Sequence, residues 1–337
     1  MDRLKEAMHY EKIEGGNVIC SLCPHGCTIA PGKFGICRVR NNIEGTLYTH
    51  NYGKISSIAM DPMEKKPLYH FFPGSFILSI GTVGCNFRCS FCQNYQIAQR
   101  GVVEQGRGYS LYEASEDYLL NLCRKDEECI GVAYTYNEPT VWFEYVYDMA
   151  KLIRSEGYKN VLITNGYISV NALSELLPYI DAMNIDVKGF TEEYYRNVCG
   201  GSLEYVKRTV EAAAAECHIE ITTLIVPGHN DSEKEMRELS KWLSSISPSI
   251  PLHLSRYFPK YKMEEQPTPE QTLIDLKKVA DSYLEYVYIG NMQSEAANTY
   301  CPQCGALLIK RRRGIFIEHL DDGLCTKCGK VINIAGD

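Results

Sequence analysis

SFILSIGTVGCNFRCSFCQN, residues 75–94, decides how this chain folds. Its first part, 75–82, is an apolar run of strand length. Gly81 and Gly84 then break the run, and a loop follows that carries Cys85, Cys89 and Cys92. A short apolar run closed by turn residues is the pattern of a strand buried on both faces. Five more runs of this kind follow: CIGVAYTY (129–136), NVLITNG (160–166), AMNIDVK (182–188), IEITTLIV (219–226) and PLHLSRY (251–257). YVYIG (286–290) reads as a seventh strand or an edge element. Amphipathic helical patterns lie between them, at 111–125, 138–157, 203–216, 232–246 and 269–285. Strands alternating with helices imply an α/β fold with a parallel sheet. Six units suit an open, partial (β/α)6 TIM-like barrel better than a closed eight-unit one. A site is then expected at the C-terminal ends of the strands, where each apolar run stops and polar residues gather.

The chain has 337 residues, of which fifteen are cysteine. Eleven of these fall into three groups, which divide the chain into three regions. An N-terminal cysteine-rich region, 1–72, holds Cys20, Cys23, Cys27 and Cys37. The core, 73–291, holds Cys85, Cys89 and Cys92. A C-terminal region resembling a zinc ribbon, 292–337, holds Cys301, Cys304, Cys325 and Cys328. Cys123, Cys129, Cys199 and Cys217 are scattered and read as small buried hydrophobes.

The central spacing, C-x3-C-x2-C, places three thiolates on one tight loop. Such a loop can hold three irons of a [4Fe–4S] cluster and leave the fourth open to a ligand. A zinc knuckle is the competing reading. The strand-to-loop junction and the aromatic Phe91 before the last cysteine favour the cluster.

The C-terminal group is a pair of C-x2-C-G knuckles, the pattern of tetrahedral four-thiolate binding. Zinc is expected there, with rubredoxin-type iron as the alternative. Lys310-Arg311-Arg312-Arg313 between the knuckles reads as a solvated hairpin rather than a nucleic-acid patch. The N-terminal group fits either zinc or an auxiliary iron–sulfur cluster. His25, flanked by Pro24 and Gly26, is either a replacement ligand or a turn residue.

A net charge of -7 speaks against nucleic acid as a partner. The first sixteen residues contain no apolar signal-peptide core, and no run is long enough to span a bilayer. A cytoplasmic protein without a membrane partner is expected, and in a reducing compartment clustered cysteines point to metal rather than disulfides.

The motif GCNFRCSFCQN and the βα series resemble the radical S-adenosylmethionine (SAM) superfamily, in the branch of the pyruvate formate-lyase activating enzymes. With CSLCPHGC, YTYNEP, TNGY, NIDVKGF, PLHLSRYFP and YVYIGN, the chain is similar from about residue 18 onward to the radical SAM enzymes of the AmmeMemoRadiSam system. The resemblance implies that SAM chelates the open iron and that Phe91 packs near its adenine. Where the superfamily carries Gly-Gly-Glu-Pro, this chain has Tyr136-Asn137-Glu138-Pro139. Glu138 is then either a contact to the SAM ammonium or a carboxylate at a helix N-terminus. Thr164-Asn165-Gly166 and Asp186-Val187-Lys188 match the branch's Thr-Asn-Gly and Asp-x-Lys. Lys188 is implied to hold the SAM carboxylate, and His253 to lie near the adenine. Arg256 lies nearby without an assigned role.

The activity implied is reductive cleavage of SAM to a 5′-deoxyadenosyl radical, which takes hydrogen from a protein or small-molecule substrate. Activation of a glycyl-radical enzyme is the narrower alternative. The partners implied are an external electron donor of flavodoxin or ferredoxin type, and Memo-type and AMMECR-type proteins. A zinc-ribbon binding protein and a multi-cluster electron-transfer protein are the alternatives from other classes. Neither needs Glu138 and Lys188 beside the three cysteines.

Overall fold

The computed structural model describes residues 4–102, 110–292, 295–312 and 314–336. Its centre is an eight-stranded sheet whose spatial order follows the chain. The strands are β1 (Ser57–Pro62), β2 (Phe76–Gly81), β3 (Cys129–Tyr134), β4 (Lys159–Thr164), β5 (Ala182–Asp186), β6 (His218–Ile225), β7 (Leu252–Arg256) and β8 (Val287–Gly290). From β2 to β8 every neighbouring pair is parallel. The YVYIG run is thus a seventh parallel strand beyond the six expected. β1 lies antiparallel on the outer side of β2, so the sheet begins within the first 72 residues. β1 and β8 are its two edges, and the barrel is open.

The helices between strands are α1 (Glu116–Arg124), α2 (Phe143–Ser155), α3 (Val170–Leu176), α4 (Leu203–Ala214), α5 (Glu233–Ile246) and α6 (Glu270–Ala280). Serines start three of them by accepting backbone N–H bonds: Ser115 from Tyr118, Ser169 from Ala172 and Ser232 from Glu235. The cap at Ser115 moves the first helix start from the expected 111 to 116, and Tyr112–Glu113 instead pairs with Lys54–Ile55. The pattern at 138–157 divides into a 3-10 turn, Pro139–Trp142, and then α2. Among the described residues, no helix is long and apolar enough to cross a membrane.

The N-terminal region forms small antiparallel sheets that pack on α2. Arg40 and Glu144 form a buried ion pair there, and Glu144 also accepts from the Met8 amide at 2.7 Å. At the other end, the C-terminal region covers the lower part of β8. Tyr286 and Tyr288 pack with Cys301, Leu308 and Ile309. Its last residues return beneath the barrel, where His70 bonds the Asn333 carbonyl through Nδ1 and the Tyr288 hydroxyl through Nε2, at 2.8 and 2.6 Å.

The basic stretch does form a hairpin, Leu307–Arg311 against Ile315–Ile317. Arg311, however, is not solvated. It bonds Thr299 and the Tyr69 carbonyl and stacks 4.4 Å over the Tyr69 ring. A guanidinium that lies flat on an aromatic while both its Nη groups donate is stabilised when buried, and the Glu64 carboxylate stands 3.9 Å from its Nε. Lys310 and Arg312 are exposed, and Arg313 lies outside the described residues.

Candidate active site

The loop after β2 is held from three sides. Asn137, just past β3, accepts from the Thr82 amide and donates to the Gly84 carbonyl, both at 3.0 Å. The Arg88 and Ser90 amides donate to the carbonyls of Cys199 and Val198 in a π-turn, Tyr195–Cys199. Gly84 takes φ +90°, and a Cβ there would lie 2.7 Å from both the Cys37 carbonyl and a Val39 methyl. Only glycine lets the loop lie this close to the N-terminal region.

Cys85, Cys89 and Cys92 face a cavity of about 270 Å³ at the C-terminal ends of the strands. Burial pushes the Cys85 thiol up, with the Glu138 carboxylate adding to it. Cys89 is raised by its hydrogen bond with Cys199 and by burial, and burial pushes Cys92 up to about 11. Free thiolates are thus disfavoured here, and a cationic metal centre removes that cost. Backbone and side-chain N–H groups already point at sulfur: Phe87 N lies 3.3 Å and Asn165 Nδ2 3.7 Å from Cys85 Sγ. Such donors favour a charged, cluster-bound thiolate. The three sulfurs do not crowd together as ligands of a single ion do. Among the described residues, the one group of three or more such ligands whose atoms all lie within 4.8 Å of one another is Cys301, Cys304, Cys325 and Cys328.

Phe91, Tyr136, Asn137, Glu138, Asn165, Asp186 and Lys188 line the same cavity. Glu138 is buried, and its carboxylate accepts from Thr140 N (2.9 Å), Thr164 Oγ1 (2.7 Å) and Asn165 N (2.8 Å). It caps the 3-10 turn and faces the cavity at once. Tyr136 takes φ +69°, so the backbone turns here as a glycine would. Its hydroxyl donates to Asp61 at 2.8 Å, and Lys66 lies over its ring. Those contacts offset the strain of a left-handed residue. Lys188 Nζ lies 2.9 Å from Asp186 and 5.9 Å from the centre of the Phe91 ring. Burial pulls the Lys188 ammonium down, but Asp186 and the nearby cysteines hold it well above its usual range.

His253 is not in this cavity. Its Nε2 bonds Glu220 at 2.6 Å, and its ring packs on Tyr69 and Tyr288. The reason is strand tilt. Asp186 pairs in register with Thr222, and Thr222 with His253, yet the cavity floor climbs across tilted strands. On β7 it is therefore reached by Ser255, one inward position higher, and past β8 by Asn291. Arg256 points away, to the Thr268 carbonyl and Glu270. Cys199, read as a bland hydrophobe, touches the cysteine loop. Only the folded π-turn brings it there, but Ser255 and Asn291 carry the same mark as the residues that were found, a polar group where an apolar run ends.

At the C-terminus, Cys301 Sγ lies 3.6 Å from Cys328 Sγ and Cys304 Sγ 3.7 Å from Cys325 Sγ. Four thiolates at about 2.3 Å from one ion stand at such separations. This group could hold a single metal ion.

An open parallel βα barrel with a three-cysteine loop over its C-terminal mouth defines a class of metal-dependent enzyme. Residues 79–243 match the radical SAM superfamily, and the chain belongs to that family of SAM-dependent iron–sulfur enzymes. It is 41% identical over 339 residues to the uncharacterized protein MJ0808 of Methanocaldococcus jannaschii, covering 98% of this chain and 99% of that one. It is 27% identical over 171 residues to the pyruvate formate-lyase-activating enzyme of Clostridium pasteurianum, covering 48% and 67%. Among solved structures, a radical SAM methyltransferase from Sphaerobacter thermophilus shares the fold with a TM-score of 0.51, at 13% identity over 70% of this chain and 71% of that one.

Proposed function

We propose that Cys85, Cys89 and Cys92 carry a [4Fe–4S] cluster and that the cavity beside them binds SAM for radical generation. The observation that carries this reading is convergence: the three loop cysteines, Glu138, Asn165, Asp186 and Lys188 come from four different strand ends onto one cavity. The cluster, when bound, supplies the single electron that cleaves SAM to a 5′-deoxyadenosyl radical.

The chain's own residues position the partner of that electron. Lys188 holds the SAM carboxylate, and Asp186 fixes the lysine in place. Phe91 offers a face to the adenine. Glu138 orients the strand ends through Thr140, Thr164 and Asn165, and presents negative charge to an ammonium. Asn137 and Asn165 keep the loop and its first sulfur in register.

The substrate is a hydrogen donor, either a protein or a small molecule. Relatives named as activating enzymes favour a glycyl-radical protein as the narrower case. An electron donor of flavodoxin or ferredoxin type completes the cycle. Memo-type and AMMECR-type proteins are partners proposed on resemblance alone.

The test is anaerobic reconstitution with iron and sulfide, reduction by dithionite, addition of SAM, and mass spectrometry for 5′-deoxyadenosine. The wild-type chain yields it and Cys89→Ala does not. Equal yield from both removes the loop from the chemistry.

A further inference from the structure

The N-terminal cysteines form a second cage. Cys20, Cys23, Cys27 and Cys37 line one void together with Leu22, Ile29 and Arg40. All four are unpaired thiols, and Cys23 lies close enough to Cys37, Cys20 and Cys27 to feel their charge. Their sulfurs are nevertheless spread too widely for one ion. No three of them fall within the 4.8 Å that the C-terminal four satisfy. Thiolates on a single zinc stand under 4 Å apart, whereas those on the corners of an iron–sulfur cube stand roughly 6 Å apart. The void itself admits a water-sized sphere, with about 20 Å³ open to its centre. Thiolates closed on one ion leave no such space. In its wide spacing this cage is like the Cys85 loop and unlike the C-terminal knuckles.

Charge points the same way as geometry. Arg40 is fully buried and lies against the cage, its Nη1 3.8 Å from Cys20 Sγ. Glu144 and the Met8 carbonyl take its two Nη groups, while Nε has no partner among the described residues. A buried guanidinium with an unused donor calls for an anion beside it. A thiolate-bound iron–sulfur cube, with sulfides at the corners between its irons, provides one.

The cage also shares a wall with the loop of Cys85. His25 Nε2 bonds the Asn86 carbonyl at 2.8 Å, and Asn86 lines the void. The other end of Asn86 accepts from Asn165 at 2.9 Å. The Cys37 carbonyl fills the space a Cβ on Gly84 would need. Cys23, Cys27 and Cys37 are half-buried and Ile36 is exposed, so a donor protein can approach the cage.

We propose that Cys20, Cys23, Cys27 and Cys37 bind a second [4Fe–4S] cluster, fully ligated by protein, which passes electrons singly to the cluster of Cys85, Cys89 and Cys92. The ligation stands on this cage alone, and the relay rests on the radical SAM reading. A one-electron donor of flavodoxin or ferredoxin class reduces the second cluster. It is reoxidised as the electron moves to the first, and no bond or proton moves in the relay.

The test starts with the full chain, reconstituted anaerobically. About eight irons, about eight sulfides and about one zinc per chain are expected. About four irons with about two zincs overturn the proposal. The variant Cys85→Ala/Cys89→Ala/Cys92→Ala separates the sites: it should keep about four irons and an electron paramagnetic resonance signal that SAM does not change. Loss of all iron from this variant, with its circular dichroism intact, also overturns the cage. In Cys23→Ser/Cys27→Ser the SAM-responsive signal should survive under dithionite, while reduction by flavodoxin slows at least about ten-fold. Unchanged reduction by flavodoxin refutes the relay. Absence of the SAM-responsive signal from this variant and from the wild-type chain alike counts against the Cys85 site instead, and leaves the cage to be judged by the triple variant.

Discussion

Replacing Glu138 separates its two roles in energy. Its carboxylate satisfies three buried donors: Thr140 N, Thr164 Oγ1 and Asn165 N. In Glu138→Ala all three lose their acceptor at 4% exposure or less. A buried donor left unmade costs about 1–3 kcal/mol, and relaxation of the threonine hydroxyl recovers part of one, so the loss should be about 3–6 kcal/mol. That is a large share of a domain's total stability of about 5–15 kcal/mol. Glu138→Gln keeps one oxygen, enough for Thr140 N and Thr164 Oγ1, but turns its own NH2 toward the Asn165 amide. One donor is lost, at about 1–3 kcal/mol. Urea unfolding followed by circular dichroism, on samples of equal metal content, reads both as shifts in midpoint at constant slope. The order wild type, Gln, Ala is the required result. If both variants unfold within about 0.5 kcal/mol of wild type, the carboxylate does not anchor the strand ends, and its place at the cavity needs another explanation.

Other perturbations reach other parts of the molecule. Gly84→Ala combines a φ of +90° with two 2.7 Å overlaps and should cost about 2–4 kcal/mol, together with a lower iron content per chain. An unchanged melting temperature would show that the two cysteine regions are not in contact there. Glu220 is fully buried; burial alone would raise its pKa, but hydrogen bonds from His218 and His253 hold it well below its usual 4.5. Its stabilisation is therefore complete above that unfolded value and is lost as the pH falls below it. Glu220→Gln should flatten the acid side of the stability profile between about pH 5 and 2, and an equally steep profile in the variant removes Glu220 from the cause. Lys188→Met should weaken SAM binding at least about ten-fold, read by calorimetry, because the carboxylate loses its only proposed cation. Cys304→Ser should release about one zinc per chain and lower the melting temperature of the C-terminal region; retained zinc would move the site elsewhere.

The sheet was legible where its strands are buried on both faces, because runs such as FILSIG and CIGVAY are too short for a helix and are closed by turn residues. β1 was not, since SIAMDP alternates at an edge with one side near solvent. The short α3 follows TNGY without a long apolar stripe and was likewise hidden. At the site, residues where apolar runs end were readable one strand at a time. His253 failed because the level of the cavity on β7 depends on how far the strands tilt, which no single strand records. Cys199 and Arg311 failed for a related reason, since their partners, Cys89 and Tyr69, are 110 and 242 positions away.

The floor of the barrel has its own consequence. The bond from His70 to Asn333 joins positions 263 apart, and Ala335 then pairs beside it with Phe71 and His70. Closing a loop of that length is entropically uphill until the intervening sheet exists. On a growing chain, β1 to β8 can assemble in the order they emerge, since each pairs with its sequence neighbour. The clasp at His70 has to wait until residues 333–335 have been synthesised. Burial holds His70 down at about 3, so it remains uncharged once enclosed. Until the clasp closes, the same imidazole is free to take a proton, and its neutral capture marks the end of folding rather than its beginning.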